Sequence, residues 1–359
     1  MSETSRNPAK PAPTLNDVAA ALGVSRTTVS NAFNRPDQLS TELRDKVMEA
    51  AKALGYPGPN PMARMLRTGR AEAIGFVFED SLSYAFEDPA SIAFLQGVAK
   101  VCEEAGHSIL VTPASNPDSA RATIRAAAVD GFIIYCLSRD HPIVDAVLER
   151  RLPVVSVDLG TIPGVPSVGI DDRAAAAVAA RHLLDLGHRR FGIIGLELRN
   201  DGYAGPVTEE RRNDVAFPIS LKRILGYEDS LKAAGLPAES WAIEECCGNQ
   251  EQSGVDAALR LLREPDRPTA LLAMSDRLAI GAMKAARSLG LSVPEDLSIV
   301  GFDDIPIASR VDPGLTTIRQ PLVEKAAAAA RMLLNTETAA ESLVLPTELV
   351  VRGTTARTP

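Results

Sequence analysis

Arg26, Thr27, Ser30, Asn31 and Asn34 fall in one nine-residue stretch. At about 100° per residue, Thr27, Ser30, Asn31 and Asn34 turn to one side of a helix, Arg26 flanks its first turn, and Val29, Ala32 and Phe33 collect on the opposite side. The outward side is short, polar and almost free of acid. Such side chains suit base edges in a DNA major groove, where arginine pairs with guanine and asparagine with adenine, each good pair discriminating by ~1–3 kcal/mol. A second set is acidic: Glu79, Asp158, Asp171, Asp276 and Asp303 each follow a short apolar run. Acids gathered at the carboxyl ends of parallel strands form an acceptor-rich edge for a polyhydroxylated ligand. Arg223, just ahead of Gly226-Tyr227, adds a donor able to bridge neighbouring hydroxyls.

The first set needs two closely jointed helices. Thr14, with Asp17 three residues on, opens a helix that presents Val18 and Leu22 on one face and stops at Gly23. Ser25 then caps a second helix through Phe33, and the tight joint makes a helix-turn-helix. Thr14, Ser25 and Thr28 complete the candidate DNA contacts of this hairpin. A third helix follows the Ser40 cap, with Leu43, Val47 and Leu54 as its core stripe and Gly55 as its stop. Residues 60–70 place Pro61 at a first helical position but are too short for a stable helix alone, so this segment is expected to be disordered until bound. The plain alternatives are core helices for the hairpin, and helix capping or a salt bridge for any single strand-end aspartate.

The second set needs parallel strands. From Ala73, apolar runs at 74–78, 108–112, 131–135, 153–158, 191–195, 269–274 and 298–302 alternate with helical stretches such as 92–105 and 174–186, the pattern of sheets covered on both faces. The chain has 359 residues, 45% hydrophobic and 23% charged, enough for two or three domains and unlike a disordered or fibrous chain. Its net charge of −8 is unevenly spread: residues 1–70 balance at +4 and the rest at −12, which confines a polyanionic partner to the N-terminus. No apolar run reaches membrane-span length and the N-terminus has no signal-like core, so a cytoplasmic location is expected. Cys102, Cys136, Cys246 and Cys247 read as small buried residues, and His182 and His188 lack metal-ligand spacing. No metal or other cofactor is expected. Asp303-Asp304 is a poor acid/base pair, because neighbours on a strand face opposite ways, and an enzyme is not expected.

The run Thr14-Leu15-Asn16-Asp17-Val18-Ala19 through Gly23-Val24-Ser25-Arg26-Thr27-Thr28-Val29-Ser30-Asn31 resembles the DNA-binding head of the lactose-repressor (LacI) family of bacterial transcription regulators. Leu54-Gly55-Tyr56, Asn60-Pro61 and Ala63 to Arg70 follow in that family's order, as do Gly187-His188-Arg189-Arg190, Ser275-Asp276-Arg277, Val293-Pro294-Glu295-Asp296 and Gly301-Phe302-Asp303-Asp304. The similarity runs from Thr14 to about Arg357. It implies an all-α helix-turn-helix head and hinge, followed by an α/β two-lobed, periplasmic-binding-protein-like effector domain with parallel sheets. On that reading residues 1–13 are a disordered tail, 14–59 the DNA-binding domain, 60–72 the hinge helix and linker, and 73–359 the effector-binding and dimerisation domain. The N-lobe would take about 73–171 and 321–343, and the C-lobe about 172–320 and 344–359.

The resemblance further implies that the hinge folds on DNA and places Leu66, beside Ala63 and Arg64, into the minor groove, where such wedges kink the duplex. Glu79, Asp158, Arg223, Ser275 and Asp303 take positions that commonly touch effector, with Asp171 and Gln320 close by; Asn249 and Asp276 complete the candidate effector set. Ser275 stands where asparagine is usual, Asn249 where an aromatic is frequent, Ile170 where several members have phenylalanine, and Asn31 where arginine or histidine is frequent. Tyr84, Phe86 or Trp241 are candidate replacement platforms for a sugar ring. The implied partners are an operator in double-stranded DNA, a small-molecule effector such as a sugar or related metabolite, and a second copy in a homodimer, with no membrane partner. The alternative, a solute-binding protein of a sugar transporter, shares the lobes but has no use for residues 14–70.

Overall fold

The computed structural model describes residues 13–59, 61–138, 140–335 and 341–358, without the side chains of residues 61–64. The tail expected over 1–13 thus lies, except for Pro13, outside the described residues. The chain divides into two compact units that meet between Ala71 and Glu72 in sequence.

In the first unit, α1 (Leu15–Leu22), α2 (Arg26–Asn34) and α3 (Thr41–Leu54) enclose Val18, Ala19, Val29, Ala32, Val47 and Ala51. The backbone N–H and hydroxyl of Thr14 both donate to the Asp17 carboxylate, at 2.7 and 2.8 Å, and these bonds hold its pKa below the usual aspartate value. Gly23 ends α1 at φ +64°, and the Ser25 hydroxyl accepts from Thr28 N at 3.0 Å to start α2 two residues later. Phe33 packs edge-on against Tyr56, ring centroids 5.8 Å apart. Leu54 departs from the expected stripe: as the last residue of α3 it is 41% exposed, and Ala51, one turn earlier, is buried in the core instead. A second departure is α4 (Pro61–Thr68), which is helical where a disordered segment is expected. Proline at N1 and good helix formers after it permit two turns, although so short a helix is marginal alone in water.

The second unit contains two parallel sheets. Through the first lobe the chain runs β1 (Ala73–Phe78), α5 (Pro89–Ala105), β2 (Ser108–Pro113), α6 (Pro117–Ala126), β3 (Gly131–Tyr135), α7 (Pro142–Leu148), β4 (Val154–Val157) and β5 (Ser167–Ile170). The second lobe follows with α8 (Asp172–Asp185), β6 (Phe191–Gly195), β7 (Gly205–Pro206), α9 (Glu209–Asn213), α10 (Pro218–Ala233), β8 (Trp241–Glu245), α11 (Glu251–Leu262), β9 (Ala270–Ala273), α12 (Asp276–Ser288), β10 (Ser298–Asp303) and β11 (Thr316–Arg319). The chain returns to the first lobe as α13 (Leu322–Leu334) and β12 (Leu343–Leu345), then ends in the second with β13 (Glu348–Val350).

The sheet orders are β12-β5-β4-β3-β1-β2 and β13-β11-β10-β9-β6-β8-β7; among the described residues β7 and β13 pair antiparallel and the other strands parallel. Apolar side chains cover both faces of each sheet. Close helix pairing depends on missing side chains: a Cβ at Gly97 would stand 2.2 Å from the Val323 carbonyl, and one at Gly226 2.1 Å from that of Arg173. The lobes are joined by three crossings, one entering α8, one entering α13 and one between β12 and β13. Because β12 pairs in parallel with β5, the third crossing follows Leu345 instead of residue 343. Among the described residues, no helix is long and apolar enough to cross a membrane.

Candidate functional site

On the head, α2 presents the expected polar face. Arg26, Thr27 and Asn34 are exposed, and Thr28, Ser30 and Asn31 are half-buried. Their geometry is pre-set by local bonds: Ser25 and Thr28 hydroxyls lie 2.9 Å apart, and the Asn34 amide donates to the Ser30 carbonyl at 3.0 Å. The Asn31 amide donates to Gln38 Oε1 at 3.3 Å, a tether from the short helical turn at Pro36–Gln38 that the sequence pattern does not reveal. Thr14 and Ser25 are exposed at the two helix starts. On α4, Leu66 is 82% exposed, and the side chains of Ala63 and Arg64 lie outside the described residues.

In the second unit a cavity of 690 Å³ opens between the carboxyl ends of the two sheets. Seven of the nine candidate effector residues line it: Glu79, Asp158, Arg223, Asn249, Ser275, Asp303 and Gln320. The loops that present them are bent. Cys136, Asp158 and Asp303, at the ends of β3, β4 and β10, take φ of +50°, +53° and +117°. Such conformations cost of order 1–3 kcal/mol each for non-glycine residues and are kept where the surrounding structure over-determines them.

Two members are misplaced by the sequence reading. Asp171 caps α8, accepting from Ala174 N at 3.0 Å, and is exposed in a separate surface groove; its neighbour Asp172 turns inward and accepts from Arg223 Nε at 2.9 Å. Asp276 is fully buried beneath the cavity, where it accepts from Ile305 N at 2.8 Å and the Thr317 hydroxyl at 2.5 Å. Burial and the neighbouring Asp303 push its pKa up. Its role is to fix the turn after β10, whereas Ser275, one residue earlier, faces the cavity and donates to Asn249 Oδ1 at 2.5 Å.

The polar groups are interlocked. Arg223 donates to Asp172 and, at 2.7 Å, to the Met274 carbonyl, and stacks 3.7 Å from the Phe302 ring centroid, so its charge is already neutralised. Gln320 donates to Asp303 at 2.5 Å and accepts from Lys325 at 2.8 Å. Lys325, wholly buried on α13, also donates to Asp158. Neither the motifs nor the strand-end pattern points to this lysine, although it lies on the apolar stripe Leu322, Ala326, Ala329, Ala330 and Leu333.

Other lining residues were not anticipated. Glu197, Asn200 and Phe217 come from the stretch between β6 and α10, and Cys136 and Cys247 are exposed rather than buried. Of the aromatic candidates Tyr84 lines the cavity, Phe86 is 62% exposed outside it, and Trp241 lines a different groove while donating to Glu228 at 3.2 Å.

Glu197 has its pKa pushed up to about 7 by burial, then by the negative charges of Asp80, Glu79 and Glu245. The folded protein therefore holds this proton up to about pH 7, while the unfolded chain releases it near pH 4.5, so this group lowers stability as pH rises between those values. Glu197→Gln should gain on the parent by roughly 2–4 °C in Tm between pH 5 and pH 8, about 1 kcal/mol after solvent screening of this partly exposed carboxyl is allowed for. Melting curves at the two pH values check this; a constant difference between parent and variant would contradict it.

Residues 14–60 match the family described as bacterial regulatory proteins, lacI family, and residues 180–355 match the periplasmic binding protein-like domain. The HTH-type transcriptional regulator Rv3575c of Mycobacterium tuberculosis is 44% identical over 365 residues, covering 100% of both chains. The solved lac repressor dimer bound to operator and the anti-inducer ONPF superposes with a TM-score of 0.78 at 26% identity, over 96% of this chain and 99% of that one. The complex of the transcriptional regulator CelR with cellobiose gives a TM-score of 0.69 at 29% identity, over 95% and 99% of the two chains.

Proposed function

The chain belongs to the LacI family of bacterial DNA-binding transcriptional regulators, and from that premise we propose that it is a homodimeric repressor of a palindromic operator, controlled by an uncharged polyhydroxylated effector held between its lobes. Two α2 helices read half-sites whose spacing follows the dimer axis, and two α4 segments wedge Leu66 into the minor groove between them. Thr14, Ser25 and Thr28 position the head on the backbone, while Arg26, Thr27, Ser30, Asn31 and Asn34 face the bases.

The observation that carries the effector reading is the charge of the cavity lining. Glu79, Asp80, Asp88, Asp158, Glu197 and Asp303 supply acceptors, whereas Arg223 and Lys325 are already paired with Asp172 and Asp158. Hydroxyl donors fit such a lining, and a phosphate group would find no free cation there while facing the carboxylates of Glu79 and Asp80, which have no ion-pair partner among the described residues. One neighbour is solved as a complex with cellobiose, a neutral polyhydroxylated compound. Effector closure of the lobes changes how the two hinge segments pair, and a coupling of ~1–3 kcal/mol alters operator affinity by about 5–150-fold.

Thermal-shift screening of neutral sugars, cyclic polyols and nucleosides against their phosphate esters tests this reading. At least one neutral compound should raise Tm while its ester does not, since a ligand at 100 times its Kd stabilises by about 2.7 kcal/mol. Stabilisation by the esters alone would overturn it. On the DNA side, Asn31→Ala should flatten the preference for adenine at one position of each half-site in a selected-sequence profile, a loss of ~1–3 kcal/mol in discrimination. An unchanged profile would remove Asn31 from base readout.

A further inference from the structure

Between β6 and α10 the second lobe sends out residues 198–217 as a closed excursion. Its base is tied by the N–H groups of Ala216 and Phe217 to the Leu198 carbonyl, at 2.8 and 3.2 Å. Inside, Arg199 donates to the carbonyls of Asp214 at 2.7 Å and Glu210 at 2.5 Å. Arg211, stacked 3.9 Å from the Tyr203 ring centroid, donates to the fully buried Glu245 at 2.6 and 2.8 Å and to Asp201 at 3.0 and 3.1 Å. Glu245 in turn accepts from Leu198 N at 2.8 Å. The excursion is thus braced onto β8 and moves with the second lobe.

Next to its base it reaches across the cavity. Asn200 Nδ2 donates at 2.7 Å to Oε1 of Glu79, which follows β1 of the first lobe, while Glu79 Oε2 accepts from Ser138 N, after β3, at 2.5 Å. One carboxylate is therefore oriented by its own lobe and bonded by the other. Asp88 and Arg277 also bridge the lobes, more loosely at 3.5 Å, and Lys325 with Gln320 does so at the hinge.

We propose that Glu79 and Asn200 form the latch that holds the two lobes closed, so that Asn200 is a positioning residue for the cavity and Glu79 acts through lobe closure in addition to any contact with effector. Because the excursion is braced beforehand, the bond forms without ordering a loop, which concentrates its effect on the distance between the lobes. The meaning of closure rests on the effector reading of this cavity; the bond itself does not, and its test needs no effector.

Amide hydrogen exchange of the full-length protein, without added ligand, would be compared for the parent, Asn200→Ala, Asn200→Asp and Glu79→Gln. Asn200→Asp sets a carboxylate against Glu79, and exchange should quicken about three- to tenfold or more both at the Ser138 amide in the first lobe and across residues 198–204 in the second. Asn200→Ala should give a smaller rise at the same two places. Glu79→Gln keeps its one carbonyl oxygen for Ser138 N and turns its NH2 to Asn200, whose amide can turn over to accept with Oδ1, so exchange should remain close to the parent. Faster exchange only in residues 198–204 would mean local fraying, and unchanged exchange in Asn200→Asp would mean no latch; either result overturns the proposal. Both Asn200 variants should melt within a few degrees of the parent, because Asn200 is exposed. If these shifts appear while no neutral polyol stabilises the protein, the latch stands and the effector reading fails.

Discussion

Leu66→Ala is expected to weaken binding to the selected operator by about a hundredfold or more, while leaving the binding of any effector found by thermal shift within a factor of two. The leucine is 82% exposed on α4, so its side chain is not committed to the core of the head. Full burial of a leucine is worth roughly 1.5–3 kcal/mol, and a dimer buries two when both hinges enter the minor groove. Lost twice, that energy exceeds a factor of 100. The salt dependence of binding should hardly change, because no phosphate contact is removed. Titration of the operator at two salt concentrations separates these effects. Equal affinity of variant and parent would show that Leu66 does not enter DNA.

Lys325→Met should lower the stability of the second unit by about 3–5 kcal/mol, on the order of 10 °C in Tm. The lysine is fully buried, and its ammonium answers both the Asp158 carboxylate and the Gln320 carbonyl oxygen. Methionine matches the length of the stem but leaves Asp158, itself 13% exposed, without its counter-charge. The loss should reach the cavity too, because Gln320 is shared with Asp303. Adding Asp158→Asn should restore much of the lost Tm, since a neutral amide tolerates the site better than an unpaired carboxylate. A single variant that melts within 1 °C of the parent, or a double variant less stable than the single, would contradict this account.

What could be read in advance follows from range along the chain. The helix-turn-helix was legible because Thr14, Gly23, Ser25 and Ser40 act on neighbours a few residues away. The parallel strands were legible because both faces are buried, which gives continuous apolar runs. β8 and β11 escaped notice: Trp241-Ala242-Ile243-Glu244-Glu245 ends in two acids whose partners, Arg260 and Arg211, are supplied from far along the chain. The same limit explains Asp171 and Asp276. A strand-end position predicts that an acid stands near the cavity, but Asp171 faces outward as the cap of α8, and Asp276 is drawn beneath the cavity by Ile305 and Thr317, residues far along the chain. Lys325 could have been found, since a lone lysine on an alanine-rich buried stripe requires a buried partner.

The most direct test of effector-controlled operator binding is selection of bound sequences from a random DNA pool by the full-length protein, with and without the neutral polyol that raises its Tm. The account predicts a palindrome with a flexible central pyrimidine–purine step, whose enrichment changes several-fold when the polyol is added. Absence of any enriched palindrome in either condition, with only weak and steeply salt-dependent binding, would contradict it.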